Sequence, residues 1–213
     1  MFMFSFNTEI LIIISRILII PVFAMLFVLL IWAFLELGGY ARECIERRRN
    51  KRNWTAFVEK LIAAKDEDTL QVARSFFDRT EYPGFVSVFA AKGAHLVNDT
   101  EHLGKTVADI EIEASHGHQR MNLGIRLGPA LGLIGTLIPM GPALLGLSAG
   151  NVASIAGNLA AAFGTTILGL GVSTICYFIS IGRRHWYAKD LSDIEYVYHF
   201  LSKEGVHDAG QKD

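Results

Sequence analysis

The feature that most constrains this chain is a long stretch without a single acidic or basic side chain. From Leu127 to Gly182 there is no Asp, Glu, Lys, Arg or His. A soluble fold has to interleave polar surface with its core, whereas a bilayer accepts such a run, because each crossing takes about 20 apolar residues. The run therefore predicts two membrane-spanning helices.

Another apolar stretch lies near the N-terminus, from Ile17 to Leu35. It is longer than the apolar part of a secretory signal, and the residues before it, MFMFSFNTE, include no Lys or Arg. Both properties predict a permanent span rather than a cleaved signal. The composition of the whole chain also favours a membrane protein, since 51% of its 213 residues are hydrophobic.

The sequence thus predicts an all-α integral membrane protein with three transmembrane helices and a long helical cytoplasmic segment. The predicted spans are residues 10–37, 123–147 and 155–181. The remaining parts are an extracytoplasmic N-terminus, a cytoplasmic segment, a short extracytoplasmic loop and a cytoplasmic tail, over residues 1–9, 38–122, 148–154 and 182–213.

The orientation follows from basic residues close to the ends of the spans, which favour the cytoplasmic side. Five arginines are the predicted topology anchors: Arg47, Arg48, Arg49, Arg183 and Arg184. The connection between the second and third spans has no basic residue. We therefore expect the N-terminus outside and the C-terminus inside. The basic run RRRNKR is interpreted as contacting anionic headgroups rather than nucleic acid.

The predicted cytoplasmic segment contains a heptad pattern of apolar residues. One position holds Leu96, Leu103, Ile110 and Gly117, and the other holds Thr100, Val107, Ala114 and Met121. This pattern predicts an amphipathic helix that continues through Arg126 into the second span. Its apolar stripe is explained either by packing inside one subunit or by a seam between subunits. A turn at residues 82–84, YPG, precedes the helix, and residues 54–77 predict one or two earlier helices.

The second and third spans are rich in small residues, which allow helix backbones to approach closely in lipid. The candidate residues for helix packing or a pore face are Gly132, Gly135, Ala162, Gly169 and Ser173. Since three spans leave much of such a surface uncovered, we expect the chain to form a homo-oligomer.

Two threonines, Thr136 and Thr166, are the candidate polar groups within these spans. One interpretation is that each hydroxyl bonds back to a carbonyl one turn earlier and is inert. The other is that both line a polar path shared between subunits. Pro139 and Pro142 interrupt backbone hydrogen bonding and are the expected sites of helix distortion.

The absences are informative as well. The second and third spans have no acidic or basic residue, so the chain supplies no carboxylate there to relay protons and a partner would have to bring one. The sequence contains no hydrolase, nucleotide-binding or metalloprotease motif and no Cys or His spacing that suits a metal. It therefore predicts neither an enzyme nor a cofactor. Cys44 and Cys176 are expected to be free thiols.

Two segments together resemble a known family. Residues 129–137, PALGLIGTL, resemble the P-x-x-G-L-x-G-T-V signature of the ExbB/TolQ/MotA family of proton-channel subunits. Residues 160–170, AAAFGTTILGL, resemble the A-L-x-x-A-T-x-x-G-L segment in the third span of that family. The order of spans and cytoplasmic segments is also similar.

The resemblance implies a pentamer, in the plasma or inner membrane, around a dimer of an ExbD/TolR/MotB-like single-span protein whose Asp carries the proton. Thr136 and Thr166 match the threonines taken to line the ion path. In ExbB- and TolQ-like members a Glu precedes the third-span threonine by five residues, and here that position is Ala161. The stretch at residues 139–142, PMGP, also departs from the usual pattern.

Two hypotheses follow. The chain is either a stator subunit of a motor driven by the proton-motive force, or a non-conducting membrane scaffold or signalling protein whose cytoplasmic helices bind a soluble partner. Transport of a small solute by this chain alone is disfavoured, because its membrane part has neither charges nor an internal repeat.

Overall fold

The computed structural model describes the backbone of residues 2–63, 71–72, 74–78, 81–96 and 99–209. Side chains are described for the same residues except 2–16, 100 and 203–209. The predicted extracytoplasmic N-terminus, residues 1–9, therefore lies outside the described side chains. Parts of the predicted helical region at residues 54–77 also lie outside the described residues.

The described residues form four helices, which we number α1 to α4. They are α1 Phe2–Ala63, α2 Phe85–Gly93, α3 Thr100–Ser148 and α4 Val152–Ala209. Within the described part of the chain, α1, α3 and α4 are each long and apolar enough to cross a membrane. The chain is thus an all-helical membrane protein, as its hydropathy predicts.

The ends of α3 and α4 are set by local side-chain chemistry. At the start of α3, the carboxylate of Asp99 accepts a hydrogen bond from the backbone N–H of His102 at 3.1 Å, which caps the helix. A turn with Gly150 at a φ of 69° separates α3 from α4, a conformation that glycine adopts without strain. The amide oxygen of Asn151 then accepts from the N–H of Ser154 and caps α4.

The start of α3 corrects the expectation from the heptad pattern. Leu96 was expected to be its first apolar position, but the helix begins only at Thr100 because Asp99 ends the preceding loop as a cap. The short helix α2 was not predicted. From Thr100 onward α3 continues without a break through Arg126, as the pattern predicts.

The chain divides into two compact units. The apolar unit comprises residues 1–38 and 120–180. Its buried side chains form two small clusters, Val22, Leu26 and Leu131 in one and Ala33, Val172 and Cys176 in the other. Many of its large apolar side chains face outward: Phe34 is 58% exposed and Phe178 is 68% exposed. Apolar side chains exposed on this scale suit contact with lipid or with further subunits.

The polar unit comprises residues 39–119 and 181–213. Its core is aromatic and centres on Phe76 and Tyr82, whose rings stack 4.7 Å apart. Leu103 and Ile110 of the heptad stripe are fully buried in this core together with Ile194 of α4. This part of the stripe is thus buried within one chain, which favours the first of its two explanations.

Candidate ion-path residues and their surroundings

In the apolar unit, α3 and α4 meet along a seam of glycines. We call Gly128, Gly132, Gly135 and Gly169 the glycine seam. A Cβ atom on Gly169 would meet the carbonyl oxygen of Gly128 and would lie 3.0 Å from the Cα of Gly132. A Cβ on Gly135 would lie 2.7 Å from the Cβ of Thr165. The two helix backbones therefore approach so closely that only glycine fits at these positions.

One polar contact joins the two helices beside this seam. Pro129 has no N–H and therefore cannot donate to the carbonyl of Ile125 one turn earlier. The hydroxyl of Ser173 on α4 donates to that carbonyl oxygen at 2.9 Å. The side chain from the neighbouring helix thus replaces the hydrogen bond that the proline removes.

The two candidate threonines lie at the margins of the glycine seam. Thr136 follows Gly135 directly, and the Cα of Thr166 lies 3.4 Å from the place that a Cβ on Gly132 would occupy. The hydroxyl of Thr136 donates to the carbonyl of Leu133 at 2.7 Å. That of Thr166 donates to the carbonyl of Ala162 at 3.4 Å. Both side chains are partly exposed.

Donation to the backbone does not make these hydroxyls inert. A threonine hydroxyl has one proton to donate and two acceptor lone pairs. With the proton engaged by the backbone, each hydroxyl still offers acceptor capacity toward a water molecule or a protonated carboxyl group. The back-bonded arrangement is therefore compatible with both interpretations of Thr136 and Thr166.

The remaining predicted residues of the spans lie in or next to the same seam. Ala162 is buried, with 5% of its surface exposed, and its carbonyl also accepts the hydroxyl of Thr165 at 2.7 Å. Pro139 is buried and Pro142 is partly buried, and α3 continues through both. Among the described residues, no side chain donates to the carbonyls of Gly135 and Ile138, the two that these prolines deprive of their usual donors.

The carboxylate nearest in sequence to the spans is Glu36 of α1. Its side chain lies 3.5 Å from the guanidinium of Arg120 and is 15% exposed. Between Arg126 and Arg183 the sequence contains no charged residue. In the described part of the chain, no group of His, Cys, Asp and Glu side chains is arranged to hold a metal ion.

The five predicted topology anchors fall into two classes. Arg48, Arg49 and Arg184 are exposed. Arg47 and Arg183 are partly buried, and both contact the carboxylate of Glu43, at 3.1 Å and 3.2 Å. Two of the arginines are thus also structural members of the polar unit.

Arg47 forms the most buried ion pair described in this protein. Its guanidinium donates two hydrogen bonds to the carboxylate of Asp190, at 2.8 Å and 2.7 Å. Asp190, which is 3% exposed, also accepts from the backbone N–H of Phe85 at 3.0 Å. Burial by itself would lower the pKa of Arg47, but Asp190 and then Glu43 raise it above its ordinary value. Arg47 therefore stays protonated at every physiological pH.

Two structural residues were missed by the sequence reasoning. Thr165, and not its neighbour Thr166, contacts Gly135 and is 1% exposed. Asp190 was not singled out, because its partner Arg47 lies 143 residues earlier in the sequence. In both cases the role of the residue depends on the helix face on which it lies. The sequence of one protein does not show which of two adjacent residues, such as Thr165 and Thr166, faces the neighbouring helix.

Comparison with known proteins supports the resemblance noted above. Residues 82–194 match the model of the MotA/TolQ/ExbB proton channel family. The match includes α2, α3 and the apolar part of α4, and it covers more than half of the chain. Comparisons with curated proteins and with solved structures give no significant match.

Proposed function

The chain belongs to the MotA/TolQ/ExbB proton channel family, and we propose that it is the stator subunit of a membrane motor driven by the proton-motive force. Five copies surround a dimer of an ExbD/TolR/MotB-like single-span protein in the plasma or inner membrane. The N-terminus lies outside, and the polar unit lies in the cytoplasm, where its arginines satisfy the preference for basic residues. Each charge that crosses gains about 2.3 kcal/mol per 100 mV.

One observation carries this proposal beyond family membership. The seam between α3 and α4 has two hydroxyls at its margins, and there is no acidic or basic residue from Leu127 to Gly182. A proton crossing hydrocarbon needs a titratable carrier, because an unpaired charge there is costly. The carrier therefore belongs to the partner, as an Asp on its single span, and this chain supplies the surrounding wall.

Thr136 and Thr166 act as acceptors for the protonated form of that Asp. Their own protons are held by the carbonyls of Leu133 and Ala162, which leaves their lone pairs directed away from the backbone. A hydroxyl arranged in this way stabilises the neutral carboxylic acid by accepting a hydrogen bond from its O–H, and it does not add a charge to the path.

The glycine seam makes the pair of helices α3 and α4 rigid, and the prolines alter the outer half of this pair. Because α3 and α4 are in backbone contact at Gly128 and Gly169, the two helices that carry the threonines move together as one rigid body. Pro139 and Pro142 leave two carbonyls of α3 without their usual donors, and these add acceptors to the outer part of the path.

The test is a measurement of proton flux with both hydroxyls removed. The full complex, purified with its single-span partner, is reconstituted into liposomes, and acidification is followed with a pH-sensitive dye under an imposed membrane potential. We expect Thr136→Ala with Thr166→Ala to lower the flux at least about tenfold, the effect of losing two neutral hydrogen bonds of about 1 kcal/mol each. Thr136→Ser with Thr166→Ser should retain it.

Thr174→Ala is the matched control. Thr174 lies on α4, is exposed, and donates to the carbonyl of Leu170 at 2.8 Å in the same back-bonded manner. Its removal should leave the flux unchanged. Wild-type flux in the double alanine variant, in complexes of normal composition, would show that the hydroxyls do not line the path.

A further inference from the structure

The polar unit contains a cavity that the channel function does not use. It lies between α1 and α4 and has a volume of about 360 Å³. Cavities that bind small molecules measure roughly 300–1,000 Å³, so this one is large enough for a small ligand. Cys44 of α1 and Trp186 of α4 line it, together with Pro83 from the segment of chain between those helices.

The two helices direct basic side chains into this cavity. From α1 come Arg48 and Lys51, and from α4 come His185 and Lys189. Residues three or four apart lie on the same helix face, so each helix contributes a pair of basic groups to one surface. The side-chain nitrogens of Arg48 and Lys51 make no hydrogen bond or ion pair with any residue that the structure describes. The chain itself therefore leaves part of this positive charge uncompensated.

The net charge of the residues that line the cavity indicates which kind of ligand would balance it. Arg47 and Asp190 form an ion pair and cancel. Arg48, Lys51 and Lys189 contribute three positive charges, and Asp193 offsets one of them, which leaves a surplus of two before His185 is counted. A phosphate monoester carries about −1.5 to −2 at neutral pH and offers three acceptor oxygens.

Two further features favour a phosphate over a simple counter-ion. The ring of Trp186 stacks on that of Tyr40, with centroids 5.0 Å apart, and carries the Arg47 guanidinium at 5.0 Å. Together with Trp54 it adds aromatic surface to the lining, beside which an organic group can pack. Protonation of Asp193 below about pH 6 would remove the charge that opposes an anion. Burial, and then the charge of Asp190, raise its pKa to about 6 although Lys189 lowers it.

We propose that this cavity is a binding site for a phosphate group, held by Arg48, Lys51 and Lys189, with the organic part of the ligand against Trp186. The phosphate belongs either to the headgroup of an anionic phospholipid or to a soluble phosphorylated molecule. Both sources present anionic phosphate oxygens to these side chains, with about two negative charges on a monoester and one on a phosphodiester headgroup. The site is independent of the proton path and does not rest on the function proposed above.

The first test uses the wild-type complex in detergent after removal of lipid. Cys44 lines the cavity and is half-buried, whereas Cys176 is buried, so the maleimide labelling rate of Cys44, read by mass spectrometry, reports on occupancy. The probes are glycerol 3-phosphate and mixed micelles containing phosphatidylglycerol, with phosphatidylcholine micelles as the comparison. We expect one probe to slow labelling of Cys44 at least fivefold, an occupancy of about four-fifths or more.

Protection by glycerol 3-phosphate identifies a soluble ligand, and protection by phosphatidylglycerol but not by phosphatidylcholine identifies a headgroup. Protection by neither probe, or equal protection by both lipids, would overturn the proposal. This measurement needs no variant and is unaffected by any failure of a variant to fold.

The second test compares two variants of equal charge. Arg48→Gln with Lys51→Gln removes two of the proposed ligands, while Arg49→Gln with Arg52→Gln removes two exposed charges of the same helix that do not line the cavity. We expect the first variant to weaken binding of the active probe at least about tenfold, since it loses two charge-assisted hydrogen bonds. The second should stay within about twofold of wild type. Equal weakening in both variants would contradict a specific site.

Discussion

In the apolar unit, α3 and α4 approach through glycines until their backbones touch, and one hydroxyl, that of Ser173, bridges them. In the polar unit, α1 and α4 are instead joined by long side chains, with Arg47 and Asp190 in a buried ion pair. The difference follows from the surroundings that each unit suits, which are lipid for the apolar unit and water for the polar unit. Lipid gives no hydrophobic force between helices, so close van der Waals contact has to supply the attraction. In water, an aromatic core supplies it and charges fix the geometry.

The largest expected effect comes from breaking the ion pair of the polar unit. Asp190→Ala leaves the partly buried Arg47 guanidinium without its main partner, and we expect a loss of about 3–5 kcal/mol in the free energy of unfolding. Thermal unfolding of the purified complex measures it. The control is Asp109→Ala, which removes an exposed ion pair with Lys105 and should cost less than about 0.5 kcal/mol. Similar losses in both variants would refute the assignment.

Next in size is the effect of one added methyl group in the apolar unit. Gly169→Ala places a Cβ against the backbone of α3, and such overpacking should cost about 3 kcal/mol because a backbone cannot yield as a side chain does. Gly171→Ala is the matched control on the same helix. Nothing lies within 4 Å of its Cβ position, so alanine there should be neutral or slightly stabilising. A stable Gly169→Ala complex would argue against backbone contact.

A smaller effect concerns Asp193, whose pKa is raised to about 6 by burial. Because this carboxyl binds its proton more tightly in the folded state, its contribution to stability is present at low pH and is lost as the pH rises from about 4 to 6. Asp193→Asn should therefore raise the free energy of unfolding at pH 8 by about 1 kcal/mol, after discounting for solvent screening. At pH 4.5 the gain should be smaller, and a gain that is constant with pH would contradict the shift.

The smallest predicted effect tests the hydrogen bond that replaces the one lost at Pro129. Ser173→Ala should cost about 0.6 kcal/mol, a typical value between membrane helices. In a Pro129→Ala background the same change should cost nearly nothing, because the alanine N–H then donates to the carbonyl of Ile125. Equal costs in the two backgrounds would show that the two groups are not coupled.

The spans and the long helices could be predicted because hydropathy and the periodic spacing of apolar residues depend only on residues that are near each other in the sequence. The charge-free run and the heptad stripe through Leu103 and Ile110 each follow from neighbours in sequence. The Arg47–Asp190 pair was not predictable in this way, since its partners are 143 residues apart and many acids are available. The assignment of Thr165 to the seam also depends on the rotation of α4 about its axis.

The central claim is that this chain forms one part of an oligomeric wall around a proton carrier supplied by another protein. The most direct measurement is the mass of the detergent-purified complex, with identification of the chains that co-purify. We predict five copies of this chain and two copies of a short single-span protein with an Asp in its membrane segment. A monomer or dimer without such a partner would contradict the claim and favour a non-conducting scaffold.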